Sequence, residues 1–375
     1  MAIQETTPTP QRTDLPQQLR PIAGQLLLEA RIAAEKAVAH ISAPRTYPLP
    51  QRGDEPTLEH VLVQRLQALP ASNRQRAADQ LMPSVRADAA SRAKRYGELA
   101  NIDLRSTTPI AVQAAPLHTG LTLSTEALLA SAGATSDAAA RQSPPDATAA
   151  AAGVVPKFKR LQVLLRTVKC WDETNPEIGG DRIMLAGIAH EPDGGIVKIA
   201  PFVVDDDFDD DEVKDYNPPK VLASFDLAAD NMIVYKNKTI PVTWPRTYAF
   251  TFMLAEGDNG GFPGFVTDIY KEVQVKTQEK IAKYVKDGSP IDTGRYLEYV
   301  QDIVNSVLDE VLKWLSDWWE DDEFTPTTQN ITLPNRTRDF NNVPMGPKRI
   351  RYPDRLIISG HGGVYHVYFA WQLVP

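Results

Sequence analysis

The sequence predicts an α+β protein built in parts. These are a small α-helical N-terminal region, an Ala-rich linker, and a C-terminal antiparallel β-rich, sandwich-like domain with an inserted helical hairpin. Three observations predict it. Residues 17–100 are rich in Ala and Arg and place apolar side chains at helical spacing. Residues 131–155, SAGATSDAAARQSPPDATAAAAGVV, are small and carry no aromatic. After them, short segments rich in Val, Ile, Leu and aromatics are separated by turn residues.

The elements follow in chain order. Residues 1–16 are polar and Pro-containing, a disordered leader. A helical region is expected over residues 17–130. Its first helix runs to about Ile41 and is firm only from Gln25, because Pro21 and Gly24 interrupt the pattern. In TLEHVLVQRLQALP the residues Leu58, Val61, Leu62, Leu66 and Leu69 share a face closed by Pro70. Ser72 is a cap candidate for the next helix, and another spans Ser84 to about Leu99. Residues 101–130 fit no single pattern. Residues 131–155 form a flexible linker of Ala, Ser and Pro.

The acidic β-rich domain covers residues 156–375. FKRLQVLLRTVKCW, RIMLAGIAH, GIVKIAPFVV, KVLASFDL, NMIVY and RTYAFTFMLAE read as strands, and NPEIGGD, EPDGG, DYNPP and KNKT as turns. In VYHVYFAWQLV the set Tyr365, Val367, Phe369, Trp371 and Leu373 is wholly apolar, so one face is core. Two helices interrupt the strands, near 265–285 and 292–319. Val266, Tyr270, Val273, Thr277, Ile281 and Tyr284 line one side of the first. Tyr296, Val300, Ile303, Val307, Val311, Trp314 and Trp318 line the second, a stripe that must be covered by the sheet, by its sister helix or by a partner.

Composition bounds the function. At 42% hydrophobic and 23% charged, the chain can bury a core. The lone Cys170 excludes an intramolecular disulfide and a Cys-based metal cluster. The start lacks a secretory signal, and no apolar run reaches the length of a membrane span, so a cytoplasmic protein is expected as synthesised, with export by another route left open. Net charge is −8, but residues 1–155 sum to +1 and residues 156–375 to −9. The acidic half argues against nucleic acid, which needs a basic footprint.

The order of LQVLLRTVKCWDET, GDRIMLAGI, APFVVDDDFDD, LASFDL, YAFTFMLAEGDNGG, WEDDEF and GGVYHVYFAWQL resembles a β-rich domain of many bacterial proteins, over about residues 160–374. The resemblance implies a shared fold and brings no activity and no catalytic residue.

Candidate chemistry gathers in acidic segments. Residues 205–212 hold seven carboxylates in eight positions, interrupted only by Phe208. Calcium takes about six to eight oxygens, and loops from one edge of a sandwich can converge to supply them. Asp205, Asp206, Asp207, Asp209, Asp210, Asp258, Asp321 and Asp322 are therefore candidate calcium ligands, against a solvated loop or a basic partner's docking site. The run lacks the glycine of an EF-hand turn. Trp314, Trp318 and Trp319 are candidate aromatic binding residues, set against core packing. His361 and His366 lie on opposite sides of a strand and suit no shared metal. Cys170 and His190 both end strands, yet no motif supports a catalytic pair, and no catalytic residue is assigned. The leading expectation is a non-enzymatic binding or structural module with a protein partner, held through the N-terminal helices or the acidic face. The alternative is a toxin-like effector, delivered by a secretion or injection system, acting on a target membrane through residues 262–319. A hydrolase assembled from scattered residues is a third.

Overall fold

The computed structural model describes residues 20–51, 56–114, 157–173, 181–235, 238–256, 262–284, 296–316, 324, 326–353, 355–360 and 363–375. The leader 1–16 and the linker 131–155 lie outside them.

The C-terminal part is a sandwich of two antiparallel sheets. The first has the order β10–β11–β1–β4, with β9 beside β11. Its strands are β1 (Arg160–Asp172), β4 (Val213–Asp226), β9 (Ile350–Arg351), β10 (Leu356–Gly360) and β11 (Gly363–Val374). The second has the order β3–β2–β7–β8, from β2 (Asp181–His190), β3 (Ile196–Phe208), β7 (Arg246–Glu256) and β8 (Thr327–Leu333). A separate ribbon pairs β5 (Met232–Tyr235) with β6 (Lys238–Pro241). The first strand of the domain pairs with its last, Leu161 opposite Leu373 and Lys169 opposite His366. The final strand thus returns to the sheet, and its five alternating apolar residues are all buried between the sheets.

The inserted helices are α6 (Phe262–Tyr284) and α7 (Tyr296–Ser316), spliced between β7 and β8. They cover the outer face of the second sheet, α6 crossing β2, β3 and β7. This explains β7, which is buried along its whole length: Phe250, Phe252 and Leu254 enter the core between the sheets, and Met253 and Ala255 meet the helices. The predicted stripes of both helices are buried wherever their side chains are described.

The N-terminal helices form a further layer. They are α1 (Arg20–Ser42), α2 (Leu58–Ala68), α3 (Ala71–Val85), α4 (Ala89–Tyr96) and the short α5 (Ile110–Ala114). α1 packs on α2 and α3 on one side and on α6 and α7 on the other, which is why it is buried nearly all round. One hydrophobic cluster runs from Ile22 and Leu26 through Val273 and Val307 to Ile188 of the sheet. The contact includes an ion pair, Lys280 Nζ to Glu29 Oε1 at 2.8 Å, with both side chains buried.

Four local expectations are corrected. α1 is continuous from Arg20: Pro21 falls in the first turn, where its missing N–H has no intrahelical partner to lose, and Gly24 costs only propensity. α3 starts at Ala71 after Pro70, and the Ser72 hydroxyl donates to Asn73 Oδ1 rather than capping. The helix expected from Ser84 to Leu99 is broken before Asp88, which caps α4 by accepting from Ser91 N at 2.9 Å. DYNPP lies inside β4, an edge strand whose unpaired side tolerates prolines.

Candidate functional site

The acidic run forms the β3–β4 connection, which crosses from the edge of one sheet to the edge of the other. Asp205, Asp206 and Asp207 continue β3, and residues 209–212 make the turn. Asp211 takes φ +62°, the left-handed conformation that aspartate tolerates, in place of a glycine. Basic side chains from neighbouring strands meet the run. Lys214 lies 3.0 Å from Asp205, Arg182 lies 3.2 Å from Asp206, and Lys169 lies 2.7 Å from Asp211. Asp210 accepts from Glu173 N at 2.8 Å, and Asp209 N donates to Glu212 Oε2 at 3.3 Å. Burial pushes the Asp205 carboxyl up, but Lys214 and the amides of Asp206 and Asp207 outweigh it and hold the group below its usual range.

Other acids end at the same pole. Ile183 is opposite both Asp205 and Glu256, and Asp181 accepts from the Tyr365 hydroxyl. Partial burial, then Asp210 and Asp181, push Glu173 upward. The candidate ligands Asp205, Asp206, Asp207, Asp209 and Asp210 thus lie together on the β3–β4 connection. Asp258, Asp321, Asp322, Trp318, Trp319 and His361 lie outside the described residues, as does the Trp314 side chain. Among the described residues no group of three or more His, Cys, Asp or Glu is arranged to hold a metal ion.

Cys170 and His190 sit at opposite ends of the sandwich. Cys170 pairs with Tyr365 at the acidic pole, and burial pushes its thiol up to about 12, so it stays protonated and inert. His190 ends β2 beneath α6. Its Nε2 is 2.8 Å from Thr251 Oγ1, its ring meets Tyr270 at 5.3 Å, and the Gln274 side chain lies near enough to interact with it. Burial lowers its pKa to about 3. The adjoining Glu191 is raised to about 7, by burial first and then by Asp193.

Among the described residues no helix packs on the outer face of the first sheet. Four large apolar residues stand half exposed on it: Trp171 56%, Tyr352 55%, Val213 52% and Val221 50%. Their neighbours are aromatic and cationic. The Trp171 and His366 rings stack at 5.3 Å, and Tyr368 meets His366 edge-on at 6.4 Å. Lys169 Nζ lies 4.1 Å from the Trp171 ring centroid, and the Arg166 guanidinium 4.8 Å from that of Tyr352. Burial, then Arg355 and Lys169, push His366 below its ordinary range, which keeps the stacked ring neutral and marks a locally positive field. His366 lies on the side away from the core, as the alternation predicts, but Trp171 covers it.

Sequence reasoning missed this face. Its signal is the outward set of β1, Arg166, Lys169 and Trp171, beside the outward set of β11, His366 and Tyr368. No helix among the described residues is long and apolar enough to cross a membrane. No family model, curated protein or solved structure matches the chain.

Proposed function

We propose that the chain is a non-enzymatic binding module whose working surface is the open face of the first sheet. Its partner is a protein segment bearing acidic and aromatic or aliphatic side chains. One observation carries this reading: half-exposed Trp171, Val213, Val221 and Tyr352 share one sheet face with Arg166 and Lys169 poised over the rings. Exposed apolar residues scattered singly need no explanation, but several on one sheet face, two of them aromatic rings beneath cations, do. Aromatics and arginine are the side chains that dominate protein interfaces. A nucleic acid fits less well. The acidic turn borders the face, Lys169 is engaged by Asp211, and Asp215 accepts from Thr167, so a long polyanion would run onto like charge.

The test is a displayed-peptide selection on the whole chain, counter-screened with a Trp171→Ala/Arg166→Glu double variant. Enriched peptides should be acidic, contain aromatic or aliphatic residues, and lose binding to the variant at least tenfold. Peptides that are basic, or that bind the variant equally, would overturn the reading. So would tighter binding of oligo-dT than of any selected peptide.

A further inference from the structure

A cavity of about 270 Å³ lies where the N-terminal helices meet the hairpin. α1, the N-terminal ends of α2 and α5, and one side of α6 enclose it. Leu26, Ala30, Ala33 and Val273 give it an apolar wall. Val112, 56% exposed, stands at its mouth with the Lys276–Glu279 pair.

Glu59 is the anomaly in that wall. It lines the cavity and is only 3% exposed. One of its oxygens accepts from Ile110 N at 2.8 Å. The other accepts no hydrogen bond from the described residues and is not sealed from solvent, and among the described residues no cation lies within ion-pair distance of Glu59. Lys36 interacts with Glu59 electrostatically, but its Nζ donates to Ser106 O at 2.6 Å and makes no ion-pair contact with Glu59. By contrast Glu29, on the same wall, holds Lys280. A carboxylate this little exposed and without a cation in contact is costly to keep, and its free oxygen opens on the cavity, where a bound cation would meet it.

We infer that this cavity is a binding site for a small amine with a hydrocarbon body. The ammonium group pairs with Glu59, and the apolar body lies against Leu26, Ala30, Ala33 and Val273. Because its walls come from both the N-terminal helices and α6, an occupant holds the two parts together. The site does not depend on the open sheet face, and either proposal can fail without the other.

The test uses n-hexylamine, n-hexanol and hexanoate on the whole chain, by calorimetry and thermal shift at neutral pH. Hexylamine should bind saturably and raise the melting temperature. Hexanol and hexanoate should bind at least tenfold more weakly. Glu59→Gln keeps an acceptor for Ile110 N but removes the charge, and should weaken hexylamine at least tenfold while leaving hexanol unchanged. Ala33→Phe, which fills the cavity, should abolish binding of all three. The ligand series on the parent chain decides the role of charge even where a variant fails to fold. A crystal soaked with 6-bromohexylamine locates the site by its bromine. Equal binding of amine and alcohol, no saturable binding, or bromine outside this cavity overturns the proposal.

Discussion

The two sheets share one core yet use their outer faces in opposite ways. The second sheet is covered by α6 and α7, and behind them by α1. Its β7 is buried at every position, and β2 at nearly every one. From Thr167 on β1 alternates: Val168 and Cys170 point inward and Lys169 and Trp171 point out, with Arg166 exposed at the bulge between Leu165 and Thr167. A strand buried on both sides loses its period of two, and a strand with one wet side keeps it. The covered face therefore adds buried apolar surface, and the open face is the one we propose for recognition.

The largest effect expected is in the core that both sheets share. Phe252 is fully buried, with Phe250 at 4.6 Å and Phe369 at 4.9 Å between ring centroids. Phe252→Ala should destabilise the fold by about 3–5 kcal/mol, read by denaturant unfolding. A loss below 1 kcal/mol, on the order of a surface change, would mean that the core shared by the two sheets does not hold the domain together.

The next effect sharpens the role of the helical layer. Lys280→Ala leaves Glu29 buried without this ion pair, though it still accepts from Gln25 Nε2 at 2.6 Å. A loss of about 3 kcal/mol is expected, while replacing Glu29 and Lys280 together by Met should cost far less. Equal losses for the single and double variants would mean that packing, not charge, holds α1 on the hairpin.

Much of this architecture was legible in the residues, and what was not is long-range. The alternation of Tyr365 to Leu373 and the stripes Val266 to Ile281 and Tyr296 to Val311 are local patterns, and each buries the side chains it names where these are described. The acidic hairpin was visible as a charge run, but its cationic neighbours Arg182 and Lys169 come from other strands. The open face depends on the pairing of Lys169 with His366, residues joined by register across most of the domain. No periodicity encodes which strand lies beside which. The lone carboxylate of Glu59 needed the same information, since α2 reads as an ordinary amphipathic helix.

Acidification should separate the buried end of β2 from the rest. His190 has a folded pKa of about 3 against an ordinary 6.5, so its stabilisation is present above pH 6.5 and lost as pH falls toward 3. Glu191 is raised to about 7 from 4.5, so its contribution has the opposite sign: stability grows as pH falls from 7 to 4.5. Between pH 6.5 and 4.5 the two offset each other. Glu191→Gln should uncover the His190 slope there, at most about 1.4 kcal/mol per pH unit. His190→Asn should instead leave a chain that becomes more stable on mild acidification. The check is urea unfolding at half-unit pH steps for parent and variants. Parallel curves would show that neither group is perturbed in the folded chain.

The smallest effect on stability should come from the open face. Trp171 loses a stack on His366 and a cation above its ring when cut to Ala, but it leaves no cavity, because more than half of it faces water. Contacts of that kind contribute about 0.5–1 kcal/mol each, and they are partly replaced by hydration of His366. Trp171→Ala should therefore lower stability by about 1 kcal/mol or less. A second signature separates exposure from simple weakness. With its cover gone, the His366 ring regains water, so its pKa should move up toward the ordinary value of 6.5, although Arg355 and Lys169 remain nearby. Proton NMR titration of parent and variant reads this directly. A loss comparable to that of Phe252→Ala, with the His366 titration unmoved, would make Trp171 a core residue and deprive the open face of its central side chain.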